Sequence, residues 1–96
     1  MPMKRCLLEG KAINSLSDLY DRLERGLDLP EHFGRNLDAL WDVLSADIEG
    51  PFTIVWQQAA ISHKQMGQDF DRVVRLLKDL EQERDDFTLI IEEEGQ

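Results

Sequence analysis

Three short apolar runs, each next to turn residues, most constrain how this 96-residue chain can fold. The runs are Arg5–Glu9 before Gly10, Phe52–Trp56 after Gly50-Pro51, and Phe87–Ile91. Their length and their β-branched and aromatic content favour buried strands. Because helical patterns separate them, the strands are expected to be parallel, with right-handed crossovers. The sequence therefore predicts an α/β fold, a three-stranded parallel sheet packed against helices, in a single domain spanning residues 1–96.

The segments between the strands carry helical periodicity and helix-boundary signals. In the first helix Ser17 is the preferred N-cap, and Pro30 is expected to end the helix because the residue before a proline avoids the α region. A second helix is expected to start at Gly34-Arg35-Asn36 and to run to about Ser45. The later part of the chain is predicted to hold a short helix over Ala59–Lys64, an amphipathic helix from about Gly67 to Glu83 and a frayed tail over Glu92–Gln96.

The net charge of the chain limits its partners. With 20 acidic and 11 basic side chains the formal charge is −9, and the excess is uneven. Residues 29–50 hold five acids and one base, and residues 79–96 hold eight acids and one base. Binding to nucleic acid or to an anionic membrane needs clustered Lys and Arg, so neither is expected. A basic protein is the expected counterpart.

Cys6 is the single cysteine, so no intrachain disulfide can form. Its apolar neighbours indicate a buried thiol rather than a nucleophile. The sequence has no apolar signal-peptide core and no apolar run of ~18 residues. A soluble protein of the cytoplasm is therefore expected.

The stretch from Leu29 to Leu44 carries the densest chemistry in the chain. A helical wheel groups its leucines on a core stripe comprising Leu37, Leu40 and Leu44. Trp41 lies at the edge of that stripe, and Asp38 and Asp42 lie beside it on the exposed side, one turn apart. A merely solvated acidic face would show the same spacing, whereas a tryptophan next to two carboxylates favours a protein interface.

Catalysis is a weaker interpretation of the same residues. Paired carboxylates can perform acid–base chemistry, and His32 could serve as a base. However, both carboxylates are expected on one short surface helix, and no Ser or Cys stands at a recognisable spacing from His32. The sequence also lacks metal-ligand spacing and a phosphate-binding glycine loop. We therefore expect no enzyme activity, no cofactor and no metal; an enzyme that used the carboxylates would lose turnover in Asp38→Asn.

The stretch Leu29-Pro30-Glu31-x-Phe33-Gly34-x-Asn36-Leu37-Asp38-Ala39-Leu40-Trp41-Asp42-x-Leu44 resembles the signature of the barstar family. The family takes its name from an intracellular inhibitor of the bacterial ribonuclease barnase. The Leu16–Leu19 helix start and the final apolar run match the family in kind and order, so the likeness spans nearly the whole chain. The implied fold, a three-stranded parallel sheet covered by helices, agrees with the pattern of strands and helices.

The resemblance implies inhibition by plugging: carboxylates occupy the place of substrate phosphate in a nuclease active site. The residues that would bind the partner are Asp42 first and Asp38 second, Trp41 beside them, Asp79 on the long helix, His32 in the loop, and Gly34 and Asn36 as shapers of the loop-to-helix turn. The expected partner is a basic protein, a secreted microbial ribonuclease of the barnase type, and the chain is expected to be monomeric when free. An acidic interaction module with a basic partner that is not a nuclease is the alternative.

The chain departs from the family pattern at three positions. His32 stands where the family has an aromatic residue that packs on the catalytic histidine of the nuclease. Asp79 is a shorter acid than the glutamate found there, and Asp47 replaces a tryptophan that follows the second helix. These differences concern the identity of the target more than the mode of binding.

Overall fold

The sheet consists of three parallel strands that lie side by side in chain order. The computed structural model describes residues 4–92, and within them the strands are β1 (Lys4–Glu9), β2 (Phe52–Gln57) and β3 (Phe87–Glu92). The strand predictions are confirmed, each strand being one residue longer than expected. Glu92 therefore belongs to β3 and not to a frayed tail, and residues 93–96 lie outside the described residues.

The two faces of the sheet differ in burial, as alternation along each strand requires. One face packs against the helices and is made of Cys6, Leu8, Phe52, Ile54, Trp56, Phe87, Leu89 and Ile91. The central strand β2 is buried over most of its length. The opposite face carries the row Leu7, Val55 and Ile90, and Ile90 is 39% exposed. The core thus lies between the sheet and one layer of helices.

The first helix, α1 (Leu16–Gly26), has different boundaries from those predicted. Its N-cap is Ser15 and not Ser17, because Ser15 has extended backbone and its Oγ accepts a hydrogen bond from the Asp18 amide at 3.1 Å. The helix also ends upstream of Pro30, so the proline is not the residue that terminates it. Its C-cap is Leu27, and Asp28 follows in the left-handed region at φ 56°, a conformation that stops α-helix propagation.

The second helix was predicted to run to about Ser45. Its α-helical part ends before that residue, whereas the helical backbone as a whole, including a π-helical segment, ends after it. Helix α2 covers Leu37–Asp42 and continues directly into a π-helical segment over Val43–Asp47. In that segment the Ile48 amide donates to the Val43 carbonyl at 3.1 Å. As at any helix end, the last carbonyls of the segment have no donor within the helix and need hydrogen-bond donors from elsewhere.

Arg84 supplies those donors. Its Nη1 donates to the carbonyls of Leu44 at 2.8 Å and Ile48 at 2.7 Å, while Nε and Nη2 donate to the Asp86 carboxylate at 2.8 Å each. The guanidinium also lies 4.9 Å from the centre of the Phe52 ring, and the Arg84 side chain is only 14% exposed. Residues 37–47, which comprise α2 and the π segment, are called the acidic helix below. Arg84 thereby anchors the end of the acidic helix to the start of β3.

The third and fourth helices complete the layer over the sheet. Helix α3 covers Ala59–Met66, two residues beyond the predicted short helix, and α4 covers Gln68–Glu83 as expected. A buried polar link joins α3 to the sheet: Trp56 Nε1 donates to Ser62 Oγ at 3.0 Å, and Ser62 Oγ donates to the Gly10 carbonyl at 3.2 Å. Within residues 4–92 no helix has the length and apolar character needed to cross a membrane.

Candidate functional site

Helix α2 separates an anchoring stripe from an acidic stripe, as the helical wheel predicts. Leu40 and Leu44 are fully buried, and Leu37 and Trp41 are half-buried against the core. Two carboxylates on the other side, Asp38 in the first turn and Asp42 in the last, are exposed. Because the leucines fix the rotation of the helix, both carboxylates are held toward solvent.

The helix start is set by Asn36. Its backbone is extended and its Oδ1 accepts a hydrogen bond from the Ala39 amide at 2.7 Å, so Asn36 is the N-cap of α2. Gly34 has an ordinary φ, and the left-handed residue of the turn is Arg35 at φ 54°. A Cβ added at Gly34 would lie 3.3 Å from Ala39 Cβ, so Gly34 shapes the turn by close approach rather than by its φ angle.

The loop before α2 is fixed to α1 by an aromatic contact and by two ion pairs. Phe33 is buried and its ring meets the Tyr20 ring edge-on, with centroids 5.5 Å apart. Arg35 donates to Asp21 at 2.9 Å and to Glu24 at 2.8 Å. These hydrogen bonds, together with the charges of the two carboxylates, raise the pKa of Arg35. The loop thus enters α2 with its course already determined.

An open groove lies between α2 and α4, with a volume of about 290 Å³. Its lining, which we call the α2–α4 groove, comprises Leu37, Asp38, Trp41, Arg72, Arg75, Leu76 and Asp79. Three residues predicted to bind a partner, Asp38, Trp41 and Asp79, are therefore brought together although α2 and α4 are distant in the chain. Asp42 lies outside the lining, at the end of α2 where the π segment begins.

The remaining predicted contact, His32, lies elsewhere on the same stretch. Its side chain is 76% exposed, and Nε2 lies 3.7 Å from the Asp47 carboxylate, at the end of the π segment. The loop before α2 and the end of the π segment thus lie next to each other. The seven predicted residues therefore do not share a single pocket: Asp38, Trp41 and Asp79 line the α2–α4 groove, and the other four lie outside its lining, in the loop before α2 or along α2.

Other reactive groups are separate from this surface. Cys6 is buried as predicted, and burial raises the pKa of its thiol, with Arg22 acting in the opposite direction. His63 on α3 is exposed, its Nε2 lies 3.2 Å from Asp71, and its ring stacks on Phe70. Among residues 4–92 there is no group of three His, Cys, Asp or Glu side chains arranged to hold a metal ion.

Comparison with known proteins assigns the family. The model of the family described as Barstar (barnase inhibitor) matches residues 3–92. The chain belongs to the barstar family. It is also similar to a Bacillus subtilis (strain 168) protein named "Putative ribonuclease inhibitor YrdF", with 34% identity over 91 residues, which are 94% of this chain and 100% of that protein.

Membership of the barstar family points to an inhibitor rather than an enzyme, and to a ribonuclease as the partner. It also agrees with the observed sheet and helix layer. Several residues of the site were missed from the sequence: Arg35, which fixes the loop, and Arg72 and Arg75, which line the groove. Asp47 was noted as a departure from the family pattern, but its proximity to His32 was not predicted. Of the missed residues, only Arg35 could have been noticed from the local sequence, because it is the single base among residues 29–50.

Proposed function

We propose that this protein inhibits a basic ribonuclease of the barnase type by covering its active site, with carboxylates of the acidic helix taking the place of substrate phosphate. Asp42 would be the principal carboxylate and Asp38 the second, with Trp41 and Asp79 as flanking contacts. His32 and Gly34 would contact the partner from the loop, and Asn36 would hold the turn.

The convergence of Asp38, Trp41 and Asp79 on the α2–α4 groove carries the proposal. Carboxylates beside a half-buried aromatic ring give a partner both a charged contact and an apolar anchor, and tryptophan is one of the residues enriched in interface hot spots. The exposed carboxylates are also held in place before binding, because their helix is anchored by buried leucines and capped by Asn36. Such preorganisation reduces the entropy lost on association.

The charge of the whole molecule supports the same partner class. A net charge of −9 attracts a basic protein over distances of about a Debye length and raises the association rate. In this proposal the protein acts in the cytoplasm, is monomeric when free, and binds neither nucleic acid nor membrane. Inhibition should therefore be rapid at low salt and slower as ionic strength rises.

The test is a titration against a panel of basic microbial ribonucleases, barnase included, with residual RNA cleavage as the readout. We expect inhibition of at least one member, and a loss of more than about 2 kcal/mol of binding free energy in Asp42→Asn, as for a central desolvated charge. Glu9→Gln is the matched control, because Glu9 is exposed on the sheet face opposite the helices and its change alters the net charge equally.

Two results would contradict the proposal. Equal losses in Asp42→Asn and Glu9→Gln would mean that only net charge matters and that the acidic helix is not the contact surface. Failure to inhibit any ribonuclease of the panel, while the protein binds a basic protein without nuclease activity, would favour the non-nuclease interaction module. RNA hydrolysis by the protein alone, abolished by Asp38→Asn, would favour an enzyme.

A further inference from the structure

The α2–α4 groove is not uniformly acidic. The α2 side contributes Asp38 and Trp41, whereas the α4 side contributes Arg72 and Arg75 together with Asp79. Along α4 the separation between Arg72 and Asp79 is about 10 Å at 1.5 Å per residue. The groove therefore offers cations toward the start of α4 and carboxylates elsewhere, around a common apolar floor that includes Leu37 and Leu76.

The two arginines differ in how far their charge is already satisfied. Arg72 Nη1 lies 3.2 Å from Asp69 Oδ1, one turn earlier on the same helix. Arg75 is exposed, and within residues 4–92 no carboxylate oxygen lies within 4.0 Å of its guanidinium. Asp79, one turn after Arg75, likewise makes no ion pair within residues 4–92. The charge of Arg75 is thus available to a molecule that enters the groove.

An unpaired cation at this place is unfavourable against a purely cationic partner. Opposing like charges across an interface cost several kcal/mol, and the groove already holds the carboxylates proposed to meet nuclease cations. Mixed charge in a groove instead selects a partner whose own charges alternate. An arginine fork is well suited to a carboxylate, which it can hold with two parallel hydrogen bonds.

We propose that Arg75 is a specificity residue and that the ribonuclease surface seated on the α2–α4 groove is mixed in charge, with a carboxylate opposite Arg75 and cations opposite Asp38 and Asp79. This inference rests on the proposed function, and it narrows the target: a nuclease whose rim over the groove is only basic binds less tightly than one with an acidic residue beside its basic site.

Charge reversal at Arg75 tests the sign of the partner charge. The variant Arg75→Glu is compared with Arg5→Glu, which makes the same change in net charge at an exposed position on the sheet face opposite the helices. The probe is the panel ribonuclease that wild type inhibits most strongly. We expect Arg75→Glu to raise the dissociation constant by about tenfold or more, and Arg5→Glu to change it by less than about threefold.

The outcomes separate this inference from the proposed function. If the nuclease is inhibited and Arg75→Glu binds as tightly as wild type or more tightly, the surface over the groove is basic and the inference is overturned, while the inhibitor function stands. If no ribonuclease of the panel is inhibited, the proposed function fails instead.

A second measurement then examines the groove without a nuclease. A peptide of alternating Lys and Glu and an all-lysine peptide of equal length are titrated while the backbone amide NMR signals of α2 and α4 are followed. We expect Arg75→Glu to weaken binding of the alternating peptide at the groove signals and to strengthen binding of the all-lysine peptide. An alternating peptide that binds wild type and Arg75→Glu equally would overturn the preference for mixed charge.

Discussion

His32 Nε2 lies 3.7 Å from Asp47 Oδ2, so two of the positions at which this chain departs from the barstar pattern are neighbours in space. The family resemblance places aromatic residues at both positions, whereas here an imidazole and a carboxylate form a polar edge. Both residues are exposed, and neither belongs to the buried leucine stripe that orients α2. We therefore interpret the pair as a determinant of which ribonuclease is bound.

The first prediction exchanges this edge for the aromatic one. The double variant His32→Tyr/Asp47→Trp should bind barnase more tightly than wild type, by about tenfold. The reason is that an aromatic contact contributes about 0.5–1.5 kcal/mol beyond the area it buries. Isothermal titration calorimetry with catalytically inactive barnase measures the difference.

The control for the double variant is each aromatic substitution made alone. His32→Tyr and Asp47→Trp are measured singly, and the coupling between them is read from the double-mutant cycle. An unchanged or weaker affinity in the double variant would show that the His32–Asp47 edge does not decide the preference for barnase.

Local sequence patterns account for most of the fold and for the orientation of the acidic helix. The leucine spacing of α2 and the apolar periodicity of α4 are visible over a few neighbouring residues of the sequence. The buried residues of each helix follow the same periodicity. The N-cap of α1 was misplaced because Ser15 and Ser17 offer the same side chain two residues apart. Choosing between them requires the backbone conformation, which the residue types alone do not fix.

Long-range contacts account for what was missed. Arg84 donates to the carbonyls of Leu44 and Ile48, which are far away in the chain. From the sequence alone, Arg84 is indistinguishable from an ordinary surface arginine. Arg75 is likewise an unremarkable exposed position of an amphipathic helix until α2 is placed beside it. Periodicity assigns a residue to a face of its own helix, but it does not identify the helix opposite that face.

The second prediction concerns the loop that leads into α2. Replacing Arg35 by Gln removes the ion pairs to Asp21 and Glu24, so the loop should exchange its amide hydrogens faster around Phe33 and Gly34. Global stability should change little because exposed ion pairs contribute little. Affinity for the nuclease should fall, since the loop must then be ordered on binding. Hydrogen exchange with mass spectrometric detection measures the loop.

A matched variant for Arg35→Gln is Arg72→Gln, which removes an ion pair within a single helix. It should leave hydrogen exchange around Phe33 unchanged. Equal exchange in wild type and Arg35→Gln would mean that the Phe33–Tyr20 contact alone fixes the loop.

The third prediction concerns the anchor at the end of the π segment. Arg84→Ala removes the donors to the Leu44 and Ile48 carbonyls, so the free energy of unfolding should fall by about 2–4 kcal/mol, as expected for charged hydrogen bonds and an unsatisfied acceptor. Arg84→Lys should lose about half as much, because an ammonium cannot reproduce the guanidinium fork. Urea denaturation measures both. The exposed Arg5→Lys should be neutral, and a similarly neutral Arg84→Ala would contradict the anchoring role.

The fourth prediction follows from the partner of that anchor. Hydrogen bonds from Arg84 hold the pKa of the Asp86 carboxyl below its ordinary value of 3.8. Because the folded-state pKa is the lower one, the pair contributes stability at pH values above the unfolded-state pKa and loses it as the pH falls through the folded-state pKa. Asp86→Asn should therefore be less stable than wild type at neutral pH.

The difference between wild type and Asp86→Asn should stay constant from neutral pH down to about pH 5 and should narrow once the pH falls below about 4. Thermal unfolding followed by circular dichroism at stepped pH measures it. Asp85→Asn is the control, since the Asp85 side chain is exposed and makes no ion pair within residues 4–92. A difference between wild type and Asp86→Asn that is equally large in acid would mean that Asp86 stabilises the fold through its shape beside Gly50 and not through its charge.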